Sequence, residues 1–563
     1  MSGERRELSE ERRRRLSHRA LPALGAAVLL VVVVALLMMS GGASDEASGA
    51  RRFAAAWQRS DYGAMYGQLT DRAKRLFPRA AFEQHYRRAA ATSTLTRVVA
   101  GRAMDVDEGA AVAVTMHTRV FGTLRGRLVM KMSGDRIKWS PRLVFPGLLR
   151  GELLTRRSDP PRRAPILARD GGAIVSGPAS ARRASGAGSA IAGEMGPATT
   201  AAERDAVYAR GFPHAWPVGR GGLEAMLEKR VAGTPGGRLL TGSRVVARAA
   251  PRAAGPVRST IDLGLESAAQ TALAGRLGGI AALDAHTGQV RALAGIAFSA
   301  PQPPGSTFKI VTLAAALEGH VAKPSTPYPV SSAALVDGVR LENANGESCG
   351  GSVALGFIHS CNSVYAPLGV RVGKERLVAM AERFGWNRMP PFPGARASTI
   401  PKADQIESEL ALGSSAIGQG KVLATPLQLA MVAQTIAAGG RQREPTIGPG
   451  PLPRARRVIS THTAHVIRKL MIGVVAGGTG TSANLGAGVV AGKTGTAELE
   501  STTGPTAGDT PTDVRSHTDA WFTSFAPAKK PRIVVAVMLV RAGAGGETAA
   551  PAARLVLAQA LGG

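Results

Sequence analysis

The sequence predicts a multidomain protein: an N-terminal transmembrane helix, a small α+β domain, a linker and pedestal region, and a large C-terminal α/β domain. Three observations carry this. Residues 21–39 form an uncharged apolar run, the next hundred residues switch between helical and strand periodicity, and strand patterns near 257–293 and 521–540 flank a long helical stretch. A length of 563 residues leaves room for several domains.

The run from Leu21 to Met39 would span ~28 Å as a helix at ~1.5 Å per residue. That is close to a bilayer core of ~30 Å. Arg5, Arg6, Arg12 to Arg15 and Arg19 precede it, and Asp45 and Glu46 follow it. The positive-inside rule therefore puts residues 1–20 in the cytoplasm and everything after about residue 40 outside. A cleavable signal peptide competes, since Gly42-Ala43-Ser44 are small, but the apolar run is longer than a usual signal core.

Residues 46–150 read as the α+β domain. Arg51 to Leu69 has helical periodicity with Phe53, Trp57, Tyr62 and Tyr66 as core positions, and Ala80 to Ala91 reads as a second helix. Val112 to Val120 and Leu124 to Met132 alternate like strands around a turn at Phe121-Gly122-Thr123, and Ile137-Lys138-Trp139 reads as a third strand. Pro160-Pro161-Arg162-Arg163 breaks the pattern, and 151–255 is rich in Gly, Ala, Ser, Pro and Arg, as expected of a linker or pedestal. The last domain, 256–563, opens with a strand (Val257 to Asp262), a helix (Leu263 to Leu277) and two strands joined at Ala285-His286-Thr287-Gly288. It closes with strands at Trp521 to Phe525 and Ile533 to Val540 and a helix from Ala552.

The formal charge is +30. No aromatic-and-basic pattern of an RNA-binding module accompanies it, so nucleic acid is not an expected partner. The charge reads either as free use of Arg alongside Ala and Gly or as attraction to an anionic lipid or wall surface. No Cys/His set has metal spacing, and no metal or other cofactor is expected. Cys349 and Cys361 are either a disulfide, favoured outside the membrane, or two unpaired buried residues.

Three short motifs lie in order in the last domain. Ser306-Thr307-Phe308-Lys309 follows Pro303-Pro304-Gly305. A serine hydroxyl needs an adjacent base to act as a nucleophile, and i, i+3 spacing on a helix puts Lys309 on the face of Ser306. Burial lets such a lysine lose its proton. Ser360-Cys361-Asn362 supplies a hydroxyl for proton relay and an amide to hold Lys309. Lys493-Thr494-Gly495-Thr496 follows Val489 and Val490, which point to a strand. There a glycine lets a substrate backbone approach, Lys493 and the threonine hydroxyls suit a carboxylate, and the N–H groups of Thr496 and Ser306 suit an oxyanion. A rival reading takes Ala487 to Thr494 as a relaxed phosphate-binding loop, but the valine pair sits inside the would-be loop.

Ser-x-x-Lys, Ser-x-Asn and Lys-Thr-Gly in this order are the signature of penicillin-recognising serine enzymes. With Ala416-Ile417-Gly418-Gln419-Gly420, Thr425-Pro426-Leu427-Gln428-Leu429-Ala430 and Ala520-Trp521-Phe522, the chain resembles the class B penicillin-binding proteins over roughly residues 205–560. Residues 46–150 more loosely resemble the cone-like N-terminal domain of MecA-type members. About ten residues separate Ala294 from the Pro-Gly-Ser, fewer than the family usually has, so a trimmed rim is expected there.

The resemblance implies a serine β-lactamase-like domain with an antiparallel sheet, acting as a D,D-transpeptidase that cross-links peptidoglycan stem peptides. It implies Ser306 as nucleophile, Lys309 as base, Ser360, Asn362 and Lys493 as further catalytic groups, and Thr494, Gly495 and Thr496 as substrate-binding. Lipid-linked precursor strands as substrate source, β-lactams as inhibitors and a membrane glycan polymerase as partner follow from it. Glu83, Glu108 and Glu152 are scattered, so the chain is expected to cross-link strands without polymerising them. A D,D-carboxypeptidase or β-lactamase-type hydrolase, and a non-catalytic penicillin-binding sensor or scaffold, are the competing functions.

Overall fold

The computed structural model describes residues 44–498 and 517–562, in two compact units. The expected cytoplasmic tail, 1–20, and membrane helix, 21–39, lie outside the described residues. No helix among the described residues is long and apolar enough to cross a membrane.

The first unit holds the described residues up to 160 together with 199–214 and 234–251. Its first helix, Asp45–Gln58, is capped by Ser44, whose Oγ accepts from Ala47 N at 3.0 Å, and it buries Phe53, Ala54 and Trp57. The expected helix from Arg51 to Leu69 is two helices. The chain turns through Ser60 at φ +57°, and Asp61 caps a second helix, Tyr62–Gly67. Helix Arg79–Ser93 buries Phe82 and Tyr86. Strands Leu95–Val106, Gly109–Thr118 and Gly122–Met130 form an antiparallel meander. Its first strand escaped the pattern because all but one of its residues are half-exposed or exposed and it carries Arg97, Arg102 and Asp105. The turn falls at 119–121 rather than 121–123. The third strand expected at 137–139 shrinks to Arg136–Ile137, paired with Met132–Ser133. Trp139 instead enters the aromatic core, its Nε1 donating to Tyr86 Oη at 3.2 Å.

The segment 151–255, expected as one linker and pedestal, is divided between the units. Strands Leu154–Asp159, Gly236–Thr241 and Arg244–Ala249 make a second antiparallel sheet in the first unit, with Gly236–Thr241 central. The fully buried Leu239 belongs to that unit's core. Residues 161–198 and 215–233 belong to the second unit, where Arg163 and Arg182 both bind the Glu224 carboxylate, at 2.5 and 2.6 Å. Removing one partner of such a buried set costs about 3–5 kcal/mol. Arginines of the expected linker and pedestal are thus folded into place.

The second unit is built on a five-stranded antiparallel sheet in the order 290–295, 278–284, 533–539, 518–526, 491–498. Strands from both ends of the domain meet in it, as expected. Ile533–Leu539 and Thr518–Ala526 are buried throughout, because helices cover both sheet faces. Helices Leu263–Leu273 and Ala550–Leu561 pack on one face, and Pro426–Ala437, buried along its whole length, on the other.

Candidate active site

The segment bearing Ser306 is a 3₁₀ turn, Gly305–Phe308, running into a buried helix, Lys309–Glu318. In a 3₁₀ turn residues i and i+3 eclipse each other, so Ser306 and Lys309 share a face even more closely than on the expected α-helix. Gly305 sits at φ +51° and donates its N–H to Gly418 O at 2.9 Å. A Cβ on it would lie 2.4 Å from Thr496 O. That hydrogen bond ties the Gly418-Gln419 segment to the turn.

Ser360 follows helix Val353–Ile358 at φ +63°, a left-handed conformation uncommon for serine. It splits the two ends of the residue between two lysines. Its carbonyl accepts from Lys309 Nζ at 2.5 Å, and its Oγ accepts from Lys493 Nζ at 2.8 Å. Lys309 Nζ also donates to Asn362 Oδ1 at 2.7 Å. Asn362 begins the helix to Val372, and its Nδ2 donates to Glu342 O at 2.7 Å. Asn343, buried, holds the start of this helix through Ser363. Cys349 and Cys361 are disulfide-bonded across 12 residues with Cα atoms 5.9 Å apart, so the residue between Ser360 and Asn362 is tethered.

Ser306, Ser360, Asn362, Thr494 and Thr496 line one cleft of about 320 Å³. The sequence-predicted residues that do not line it are Lys309, Lys493 and Gly495. Both lysines are fully buried behind it. Lys493 was expected to face a substrate carboxylate; its ammonium instead engages Ser360 Oγ and Thr494 O, because the strand register turns it into the domain. Gly495 was expected to admit a substrate backbone. It admits the turn that carries Ser306: a Cβ there would lie 2.7 Å from Pro304 O and 2.9 Å from Thr307 Cγ2. The phosphate-loop reading fails, since Lys493 lies inside the strand Ala491–Glu498, paired with Thr518–Ala526, and not in a loop opening a helix.

Sequence reasoning missed Thr479, Thr481 and Ser482, which line the cleft. Thr479 Oγ1 hydrogen-bonds Thr494 Oγ1 at 2.5 Å. The signal was the hydroxyl-rich stretch 478–482 (Gly-Thr-Gly-Thr-Ser). Gln419 also lines the cleft and lay within a segment already singled out.

Burial, and then the charge of Lys493, holds Lys309 well below the usual lysine range. Burial brings Lys493 down to about 7. A lysine near ~10.4 when unfolded then binds more protons in the unfolded state between pH 7 and 10, so stability rises with pH across that window. Urea denaturation should show Lys493 contributing roughly 2 kcal/mol of added stability between pH 7 and 9. Lys493→Met should flatten that part of the slope, and an unchanged slope would refute it. The disulfide predicts a second result. Cys349→Ser should lower stability by about 2–4 kcal/mol and slow any chemistry that needs Ser360 and Asn362 in place. An unshifted melting curve would count against the tether.

The cleft thus sets a serine on a 3₁₀ turn in front of two buried lysines that share Ser360. Residues 278–558 match the family model for the penicillin-binding protein transpeptidase domain, and through this domain the chain belongs to the penicillin-binding protein transpeptidase family. It is 37% identical over 297 residues to the peptidoglycan D,D-transpeptidase PbpA of Mycolicibacterium smegmatis, an alignment covering 47% of this chain and 56% of that protein. The chain thus spans little more than half the length of that curated relative. Among solved structures it resembles the D,D-transpeptidase domain of a peptidoglycan glycosyltransferase from Eggerthella lenta (27% identity, TM-score 0.57, covering 72% of this chain and 98% of that one). It also resembles the penicillin G acyl-enzyme complex of penicillin-binding protein A from M. tuberculosis (26%, TM-score 0.55, 71% and 99%).

Proposed function

We propose that this chain is a peptidoglycan D,D-transpeptidase of the monofunctional class B type, anchored by Leu21 to Met39 with its catalytic domain outside the cytoplasmic membrane. The observation that carries the reading is the wiring of Ser360 between two buried lysines, in the wall of the cleft that holds Ser306.

Neutral Lys309 takes the Ser306 proton as Oγ attacks the carbonyl between the two terminal D-alanines. N–H groups at Thr496 and Ser306 receive the oxyanion. The C–N bond breaks, and D-alanine leaves with a proton passed from Lys493 through Ser360 Oγ, to which Lys493 is bonded. A stem-peptide amine then attacks the Ser306 ester. It loses a proton to the lysines, and Ser306 regains its own. Thr494, Thr496 and Thr479 present hydroxyls to the substrate carboxylate, and Gly495 fits the strand against the nucleophile turn. A β-lactam enters by the same attack and remains as a slowly hydrolysed ester.

Residues 46–150 act as a MecA-type module and docking element, 151–255 supply pedestal strands, and a membrane glycan polymerase supplies fresh strands. Purified full-length protein given lipid-linked disaccharide-pentapeptide should cross-link only when a polymerase is added, releasing D-alanine. Release of D-alanine with no cross-linked dimer would favour the carboxypeptidase reading. No labelling by fluorescent penicillin would favour a scaffold, and penicillin-insensitive glycan polymer would overturn the monofunctional assignment.

A further inference from the structure

In the sheet of strands 154–159, 236–241 and 244–249, Arg238 lies directly opposite Arg157 on one side and Arg248 on the other. Residues directly opposite share a face, and strands lie ~4.8 Å apart, so three guanidinium-bearing side chains rise in one row ~10 Å long. All three are exposed. They line a concavity of about 530 Å³ together with Ser158, Asp159 and Gly237. Like charges placed directly opposite destabilise a sheet. Among the described residues no carboxylate lies within ion-pair distance of any of the three, whereas Arg244 on the same edge strand pairs with Glu152 at 2.9 Å. Beside the row the surface turns apolar: Leu153 is 67% exposed, and Val245 and Val246 are 37% and 39% exposed.

We infer that this face is a membrane-interface surface, in which Arg157, Arg238 and Arg248 hold lipid phosphates while Leu153, Val245 and Val246 enter the headgroup–acyl boundary. Guanidinium forks match phosphate oxygens in pairs, and a basic face flanked by exposed aliphatics is the chemistry of interfacial binding. The inference rests on the reading of Leu21 to Met39 as a retained anchor. Five residues lie between Met39 and Asp45. At no more than ~3.6 Å per residue they leave the first helix of this unit within roughly 20 Å of the bilayer. Some face of the unit then confronts headgroups, and charge complementarity selects this one.

The test places the full chain in lipid nanodiscs with an environment-sensitive fluorophore on Val246→Cys and headgroup-spin-labelled lipid as quencher. Quenching should be at least about threefold stronger in discs containing phosphatidylglycerol than in phosphatidylcholine discs. It should fall to the phosphatidylcholine level in the combined Arg157→Glu, Arg238→Glu, Arg248→Glu variant, and partly in Arg238→Gln should the triple variant not fold. Quenching indifferent to lipid charge or to the arginines would overturn the inference. So would binding of soluble polyphosphate through the three arginines with no quenching in phosphatidylglycerol discs, which would identify a wall-side polyanion as the ligand. A chain that does not co-purify with the discs would overturn the anchor reading instead. Quenching by preformed phosphatidylglycerol vesicles would then decide the face on its own.

Discussion

Replacing Ser306 by alanine should abolish covalent capture of a fluorescent penicillin, and replacing Lys309 by methionine should slow it by roughly 10²–10⁴-fold, the usual worth of a positioned base. The two variants separate chemistry from folding. Ser306 lies on the cleft wall, so losing its hydroxyl should shift stability by no more than about 0.5 kcal/mol. Methionine fills the channel of the Lys309 stem and relieves a buried polar amine, while leaving Ser360 O and Asn362 Oδ1 without their donor at about 1–3 kcal/mol each. These effects oppose, so melting should move little while acylation collapses. Stopped-flow acylation is the measurement. A labelled peptide mapping away from Ser306, or a methionine variant within tenfold of the natural rate, would remove these residues from their roles.

Gly495→Ala should cost about 10²-fold in acylation without removing any functional group. Its backbone is not in a left-handed conformation, and the obstacle is space. The added methyl would press on Pro304 O at 2.7 Å and on Thr307 N at 3.1 Å. Both belong to the segment carrying Ser306, and a shift of about 1 Å there is enough for a loss of that size. Thr494→Ala is the informative contrast, because it removes a cleft hydroxyl and its bond to Thr479 but leaves the turn alone. Gly495→Ala should therefore slow acylation by every β-lactam alike. Equal rates in Gly495→Ala and the unaltered protein would refute the steric account.

The catalytic domain was legible because its signals are local. Val-rich runs announce strands buried on both faces, and three motifs of three or four residues announce their own chemistry. Legibility ended where a residue's task depends on what packs against it. Gly495 reads as room for a substrate, yet the space is filled by Pro304 and Thr307. Lys493 reads as a carboxylate ligand, yet the register of its strand turns it toward Ser360. The same holds for 151–255. Its composition of Gly, Pro and Arg describes a flexible segment, and only the partners of Arg163 and Leu239, tens of residues away in sequence, make it structure. Strand Leu95–Val106 was missed for a related reason: most of its residues are half-exposed or exposed, so no alternation marks it.

The order of strands in the five-stranded sheet has a consequence for when activity first exists. The strand bearing Lys493 hydrogen-bonds to Thr518–Ala526, which pairs with Ile533–Leu539, and only that strand joins the Gly278–Asp284 hairpin. During synthesis, Ser306, Ser360 and Lys493 all emerge before the two strands that bridge them. A nascent chain interrupted ahead of Thr518 therefore possesses Ser306, Lys309, Ser360, Asn362 and Lys493 without the two strands that join the Lys493 strand to the rest of the sheet. Such a chain should be blind to penicillin. Competence should arrive in one step, once the Ile533–Leu539 strand can insert, so that ribosome-arrested chains of increasing length would bind the antibiotic only beyond that point.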